Sequence, residues 1–268
     1  MFKIGFSSLF GFVIAFLLCI HPWKNGYSSD TNSMLKTLFS SPKFSSLNTA
    51  AKEFYLSDDE KQVVALFNLA RYDSKTFIKE VILNSGYDTS ISEVSDLIKE
   101  FKNRKSIFPL MPAFSLFKAA MMHAKDMGES GLTGHHSSDG KNYQDRIHQY
   151  VTSNTLIAEN YLVGSGDPVD VVMSFLLQKG ENGTEYKRNI LDENIHYIGI
   201  SIKPHRLNCS NTVVDFARKP IIPVASAELR KKNAVEVYWK DCPTGTKIST
   251  KRKSGGFSLS NIFRGRRK

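Results

Sequence analysis

Two kinds of periodicity divide this chain, and their order limits the folds open to it. From Ser57 to about Lys179 the apolar residues recur three and four apart, as they do along helices. Runs of strand character come only afterwards. Helices first and strands last argue against repeated strand–helix–strand units and point to an α+β fold, with helices flanking a small, mainly antiparallel sheet. No internal repeat is present.

The individual elements follow from local signals. In SDDEKQVVALFNLAR, Ser57 and Glu60 have the spacing of a capping box, and Val63, Val64, Phe67 and Ala70 follow at helical spacing. SKTFIKEVI and SEVSDLIKEFKNR predict two more helices. MPAFSLFKAAMMHAKDMGESG predicts a long helix with a glycine stop, whose Leu116, Ala120, His123 and Met127 share one face. NYQDRIHQY predicts a short helix, and Asp167 before Pro168 caps another over VDVVMSFLLQK. LIAENYLVGSGDP ends in turn signals, and GENGTE reads as a loop. HYIGISI and TVVDFA, joined by the turn at Cys209, predict a hairpin; AVEVYW is a candidate further strand.

The ends differ from this middle. Residues 4–20 are apolar and uncharged after a lysine at position 3, and small residues follow, so 1–28 reads as a signal peptide cleaved after Ser28. An uncleaved signal-anchor is the alternative. Residues 29–55 are rich in Ser, Thr and Asn and read as a flexible lead-in to a domain over 56–243. The net charge of +10 is a property of the basic tail, 244–268. Eight of the 36 basic residues and none of the 26 acids lie between Lys247 and Lys268, so the remainder carries +2. That tail reads either as a solvated segment or as a contact for an anionic membrane or polysaccharide; nothing points to a specific nucleic acid. In an exported chain Cys209 and Cys242 are the natural pair for one disulfide, with two buried thiols as the alternative. Asn182 and Asn208 stand in glycosylation sequons.

The signatures of common hydrolases and nucleotide enzymes are missing, including G-x-S-x-G, H-E-x-x-H and G-x-x-x-x-G-K-[ST]. The residues that could do chemistry cluster in HAKDMGESGLTGHHSSDG, which holds His123, His135 and His136, and in IAEN, which holds Glu159. His123, on an apolar stripe, reads as a core residue. The order MPAFSLFKAAMMHAKDM, TGHHSSDGKNYQDRI, IAENYLVG, VVMSFLLQ, YKRNIL and IGISI resembles the CAP superfamily (cysteine-rich secretory, antigen 5 and pathogenesis-related proteins). It is most similar to the SCP-like form of secreted bacterial and protist proteins. The match covers about residues 57–218.

That resemblance implies an α-β-α sandwich with a cleft that often carries two histidines and two acids. His135 takes the place of the first histidine and Glu159 that of the first acid. Gln178 stands where the second acid is expected and Lys187 where the second histidine is expected, with His136 the exposed neighbour of His135. An amide and an ammonium are poor partners for a metal that wants three or four neutral or anionic donors. The expectation is therefore no cofactor and no tightly held metal, weak divalent binding at His135 and Glu159 at most, and a Lys187–Glu159 ion pair instead. Function is expected to be that of a secreted, non-enzymatic module binding a lipid, sterol or protein ligand. The alternatives are a secreted hydrolase or protease using His135 and Glu159, or a surface adhesin acting through its basic tail. No residue is assigned a catalytic role with assurance.

Overall fold

The structure, a computed structural model, describes residues 31–150, 155–177 and 181–218. The leader over 1–28, Gln178, the strand expected in AVEVYW, Cys242 and the basic tail lie outside these residues. The chain runs α1 (Thr31–Ser40), α2 (Asp58–Tyr72), α3 (Ser74–Phe77, passing into a π-helical turn over Ile78–Leu83), α4 (Ser92–Lys102), β1 (Met111–Pro112), α5 (Phe114–Ser130), α6 (Tyr143–Ile147), β2 (Ile157–Val163), α7 (Pro168–Leu177), α8 (Glu181–Leu191), β3 (Tyr197–His205) and β4 (Cys209–Ala217). The fold is α+β. Its four strands form one mixed sheet in the order β1-β3-β4-β2, with β1 parallel to β3 and the other pairs antiparallel.

The capping box at α2 forms as the spacing predicts and does more than start a helix. Ser57 N–H donates to Glu60 Oε2 at 2.6 Å, and Glu60 N–H to Ser57 Oγ at 3.1 Å. The second carboxylate oxygen, Oε1, accepts Ile202 N–H from β3 at 2.8 Å, so one buried acid fixes both the helix start and its position on the sheet. Val63, Val64, Phe67 and Ala70 then pack with α7 and the β3 and β4 residues Ile198, Ile200, Val214 and Phe216 on one face of the sheet. On the other face, α5 lays Ala120, Ala124 and Met127 on Val213, and Leu116 and Ala119 on Ala217. α5 comes close because β3 has a glycine beneath it: a Cβ on Gly199 would lie 2.1 Å from Leu116 C and Phe117 N.

Irregular segments hang on two buried polar side chains of α2. Asn68 bonds the Leu47 and Leu110 backbone, and Arg71 donates to the carbonyls of Phe108, Ile190, Asp192 and Ile195 at 2.6–3.0 Å. Burial lowers the Arg71 pKa to about 10, which leaves it a cation at neutral pH.

Three segments differ from the sequence reading. Residues 31–55 do not hang free: Leu35, Phe39, Phe44, Leu47 and Tyr55 are buried in the main core, a pattern that their polar neighbours hid. IAENYLV, read only as an approach to a turn, is the strand β2; Glu159 and Asn160 are both buried, so no apolar–polar alternation marks it. GENGTE is not a loop but mostly belongs to α8, where Tyr186, Ile190 and Leu191 are buried; this packing outweighs the cost of a helical glycine, about 1 kcal/mol. The predicted hairpin is present as β3 and β4, paired from Tyr197↔Ala217 to His205↔Cys209. No helix among the described residues is long and apolar enough to cross a membrane.

Candidate functional site

At the β2 edge of the sheet, α5, α6, α8 and the loop carrying His135 converge around Glu159, whose side chain is fully enclosed. Arg146 of α6 meets it with Nη2, at 2.9 Å from Oε1 and 2.6 Å from Oε2. The other nitrogen of that fork, Nη1, donates to the His135 carbonyl, Ser137 Oγ and the Lys141 carbonyl at 2.9–3.1 Å. One guanidinium therefore holds both the carboxylate and the loop that carries the histidine. α6 is aimed by its own capping box, Asn142 with Asp145. The same loop is tied to α5 by Asp126, which accepts Ser138 N–H at 2.7 Å.

His135 Nδ1 lies 2.8 Å from Glu159 Oε1, and its Nε2 lies 3.0 Å from Tyr186 Oη of α8. A carboxylate can only accept, so Nδ1 carries the proton, and Nε2 of the neutral ring accepts from the Tyr186 hydroxyl. Both ring nitrogens are thus engaged. The rings of Tyr143, Tyr161 and Tyr186 surround the imidazole, with centroids 5.8, 4.9 and 5.9 Å from it. His135 remains 28% exposed and forms the accessible edge of the cluster.

His123 is a core residue, as its stripe predicts, but it also borders this site. Its Nε2 is 2.9 Å from the Gly134 carbonyl and 3.9 Å from Glu159 Oε1. Burial lowers its pKa, against the opposing pull of Glu159. For Glu159, burial pushes the carboxyl pKa up, but the His135 hydrogen bond, His123 and Arg146 outweigh it and hold the group below its ordinary value. Burial raises the Tyr186 hydroxyl, with Tyr161 adding to the effect.

The remaining expected residues are not brought here. Lys187 does not pair with Glu159: its Nζ is 2.6 Å from Glu100 Oε2 on α4. It follows Tyr186 on α8, and one helical residue is a rotation of about 100°, so when Tyr186 faces His135 its neighbour points elsewhere. Its partner Glu100 lines a hollow of about 350 Å³ with Arg104, Lys105, Ile107, Leu191 and Glu193, none of them in the His135 cluster. His136 is exposed, and Gln178 lies outside the described residues.

Arg146, Tyr186 and Asp215 belong to the cluster and escaped the sequence reading. An arginine among 36 basic residues carries no mark, and Tyr186 looked like helix filler. Asp215 did leave a signal. In TVVDFA it shares a face with Val213 and Ala217, an acid where the strand should turn an apolar side inward.

The donor set does not fit a tightly held zinc ion. Both Glu159 oxygens face a guanidinium, and each ring nitrogen of His135 has a partner, so a cation would have to displace Arg146 and Tyr186 first. Among the described residues no group of three or more His, Cys, Asp or Glu is placed to share a metal.

A small mixed sheet thus lies between α5 and the α2 layer, with a histidine–carboxylate pair at its edge. The sequence profile of the cysteine-rich secretory protein family, CAP, matches residues 64–216, more than half of the chain, and the chain belongs to that family. Among solved structures it is similar to an outer surface protein from Borrelia burgdorferi (23% identity, TM-score 0.37, covering 48% of this chain and 89% of that one). It is also similar to an extracellular protein containing a SCP domain from Bacillus anthracis str. Ames (19% identity, TM-score 0.36, covering 47% of this chain and 38% of that one). No curated protein matched the chain by sequence.

Proposed function

We propose that this CAP domain is an exported, non-enzymatic binding module whose His135 edge takes a small amphiphilic ligand, a lipid or sterol. The observation that carries the reading is the occupancy of His135: Nδ1 donates to Glu159 and Nε2 accepts from Tyr186. A general base needs a nitrogen with a lone pair, which Nε2 has, and a nucleophile beside it. The hydroxyl that Nε2 meets is that of Tyr186, which burial makes a poorer proton donor, and no serine, threonine or cysteine among the described residues bonds the ring; this favours binding over hydrolysis. What the edge does present is the half-buried rings of Tyr143 and Tyr161 beside the imidazole of His135, apolar faces with polar tips that suit a ligand of mixed character. Export rests on the apolar run over 4–20, and the Cys209–Cys242 disulfide belongs to the same proposal.

Titration of the purified protein with a fluorescent sterol and a fluorescent fatty acid tests this, with His135→Ala and Tyr161→Ala as site variants. Saturable binding weakened about tenfold or more by either variant supports the reading. No saturable binding of either probe removes the lipid assignment and leaves a protein ligand. Peptidase activity that His135→Ala abolishes overturns the non-enzymatic reading.

A further inference from the structure

Asp215 of β4 stands directly across from Glu159 of β2, fully buried on the sheet face that α5 covers. No N–H or O–H donor among the described residues reaches either of its oxygens. Its pairing partner on β3 is Gly199, which has no side chain to offer. The polar group it faces is the Glu159 carboxyl itself, with Arg146 attracting from further off. Two carboxylates offer only acceptors, so these two groups can meet only with a proton between them. The proton belongs on Asp215. Glu159 already receives Arg146 and His135 and has His123 at 3.9 Å, whereas an ionised Asp215 would be a buried charge with no bonded partner.

We propose that Asp215 is the concealed positioning residue of the site, a neutral acid that donates to Glu159 and fixes the carboxylate that orients His135. Glu159 is then held by Arg146 from α6, by His135 from the loop and by Asp215 from inside the sheet, with His123 of α5 closing the remaining side. The buried pair carries a single negative charge, which Arg146 balances. Burial, followed by the charge of Glu159, pushes the Asp215 pKa well up, in agreement with this arrangement. The setting is the crevice proposed above, but the test reads protons rather than ligand, so either proposal can fail alone.

The test follows side-chain carboxyl carbons by NMR across pH in the intact protein, labelled at Asp and Glu. Asp215, assigned by through-bond correlation to its own backbone signals, is expected to titrate well above the ordinary aspartate value of about 3.9. Titration at or below that value overturns the proposal without any variant having to fold. The positioning role is read at the His135 imidazole. Asp215→Asn keeps a donor toward Glu159 and should leave the His135 titration in place; Asp215→Ala removes it and should move the midpoint by about half a unit or more, roughly threefold in proton affinity. Equal behaviour of the two variants overturns the role.

Discussion

Arg146 grips both oxygens of Glu159 with one nitrogen, at 2.9 and 2.6 Å, while its other nitrogen holds the His135 carbonyl at 2.9 Å. Replacing it strands a buried carboxylate and loosens the loop in one step. Arg146→Met is expected to lose about 3–5 kcal/mol at neutral pH. The pH dependence has a definite sign. Because the folded pKa of Glu159 lies below its unfolded value, its contribution is present above about pH 4.3 and fades as pH falls through the folded pKa. Urea unfolding of both proteins should therefore show a deficit that shrinks on acidification. A deficit constant with pH would assign the loss to packing instead.

Lys187 offers the opposite case. Its pair with Glu100 is partly exposed, and such pairs contribute about 0–1 kcal/mol. Lys187→Ala should cost no more than that and should leave both the His135 titration and probe binding unchanged. A shift in either would return Lys187 to the site.

What could be read in advance was whatever obeys a local rule. The Ser57–Glu60 box, the stripe through His123 and the β3–β4 hairpin follow from spacing alone. His135 and Glu159, 24 residues apart, were paired through resemblance, and the structure joins them at 2.8 Å. The rest depends on pairing that no local pattern encodes. Glu159 meets Asp215 through strand register, and Tyr186 rather than Lys187 reaches His135 through the rotation of α8. β2 stayed hidden because burial of Glu159 and Asn160 side by side erased its alternation.

Arg71 should prove a structural keystone rather than a site residue. Four backbone carbonyls depend on its guanidinium, and each buried acceptor left bare costs about 1–3 kcal/mol. Arg71→Met is expected to destabilise by more than about 3 kcal/mol, and Arg71→Lys to recover only part, since an ammonium cannot span four acceptors. Denaturant midpoints decide it; a Lys variant as stable as the parent would show that charge alone suffices.

Gly199→Ala probes how far the site depends on the seating of α5. The new methyl carbon would sit 2.1 Å from Leu116 C and Phe117 N, backbone atoms that cannot turn aside as a side chain could. α5 must shift, and with it move His123, which bonds Gly134, and Asp126, which holds Ser138. Both anchors serve the loop carrying His135, so a change beneath the opposite end of the helix should be felt at the crevice. The expected cost is about 3 kcal/mol or more, at the upper end for an overpacked core. Thermal unfolding would show a lowered midpoint, and the His135 ring resonances would move although residue 199 touches none of that ring's partners. Resonances that stay put in a folded variant would show that the seating of α5 on β3 does not set the position of the His135 loop.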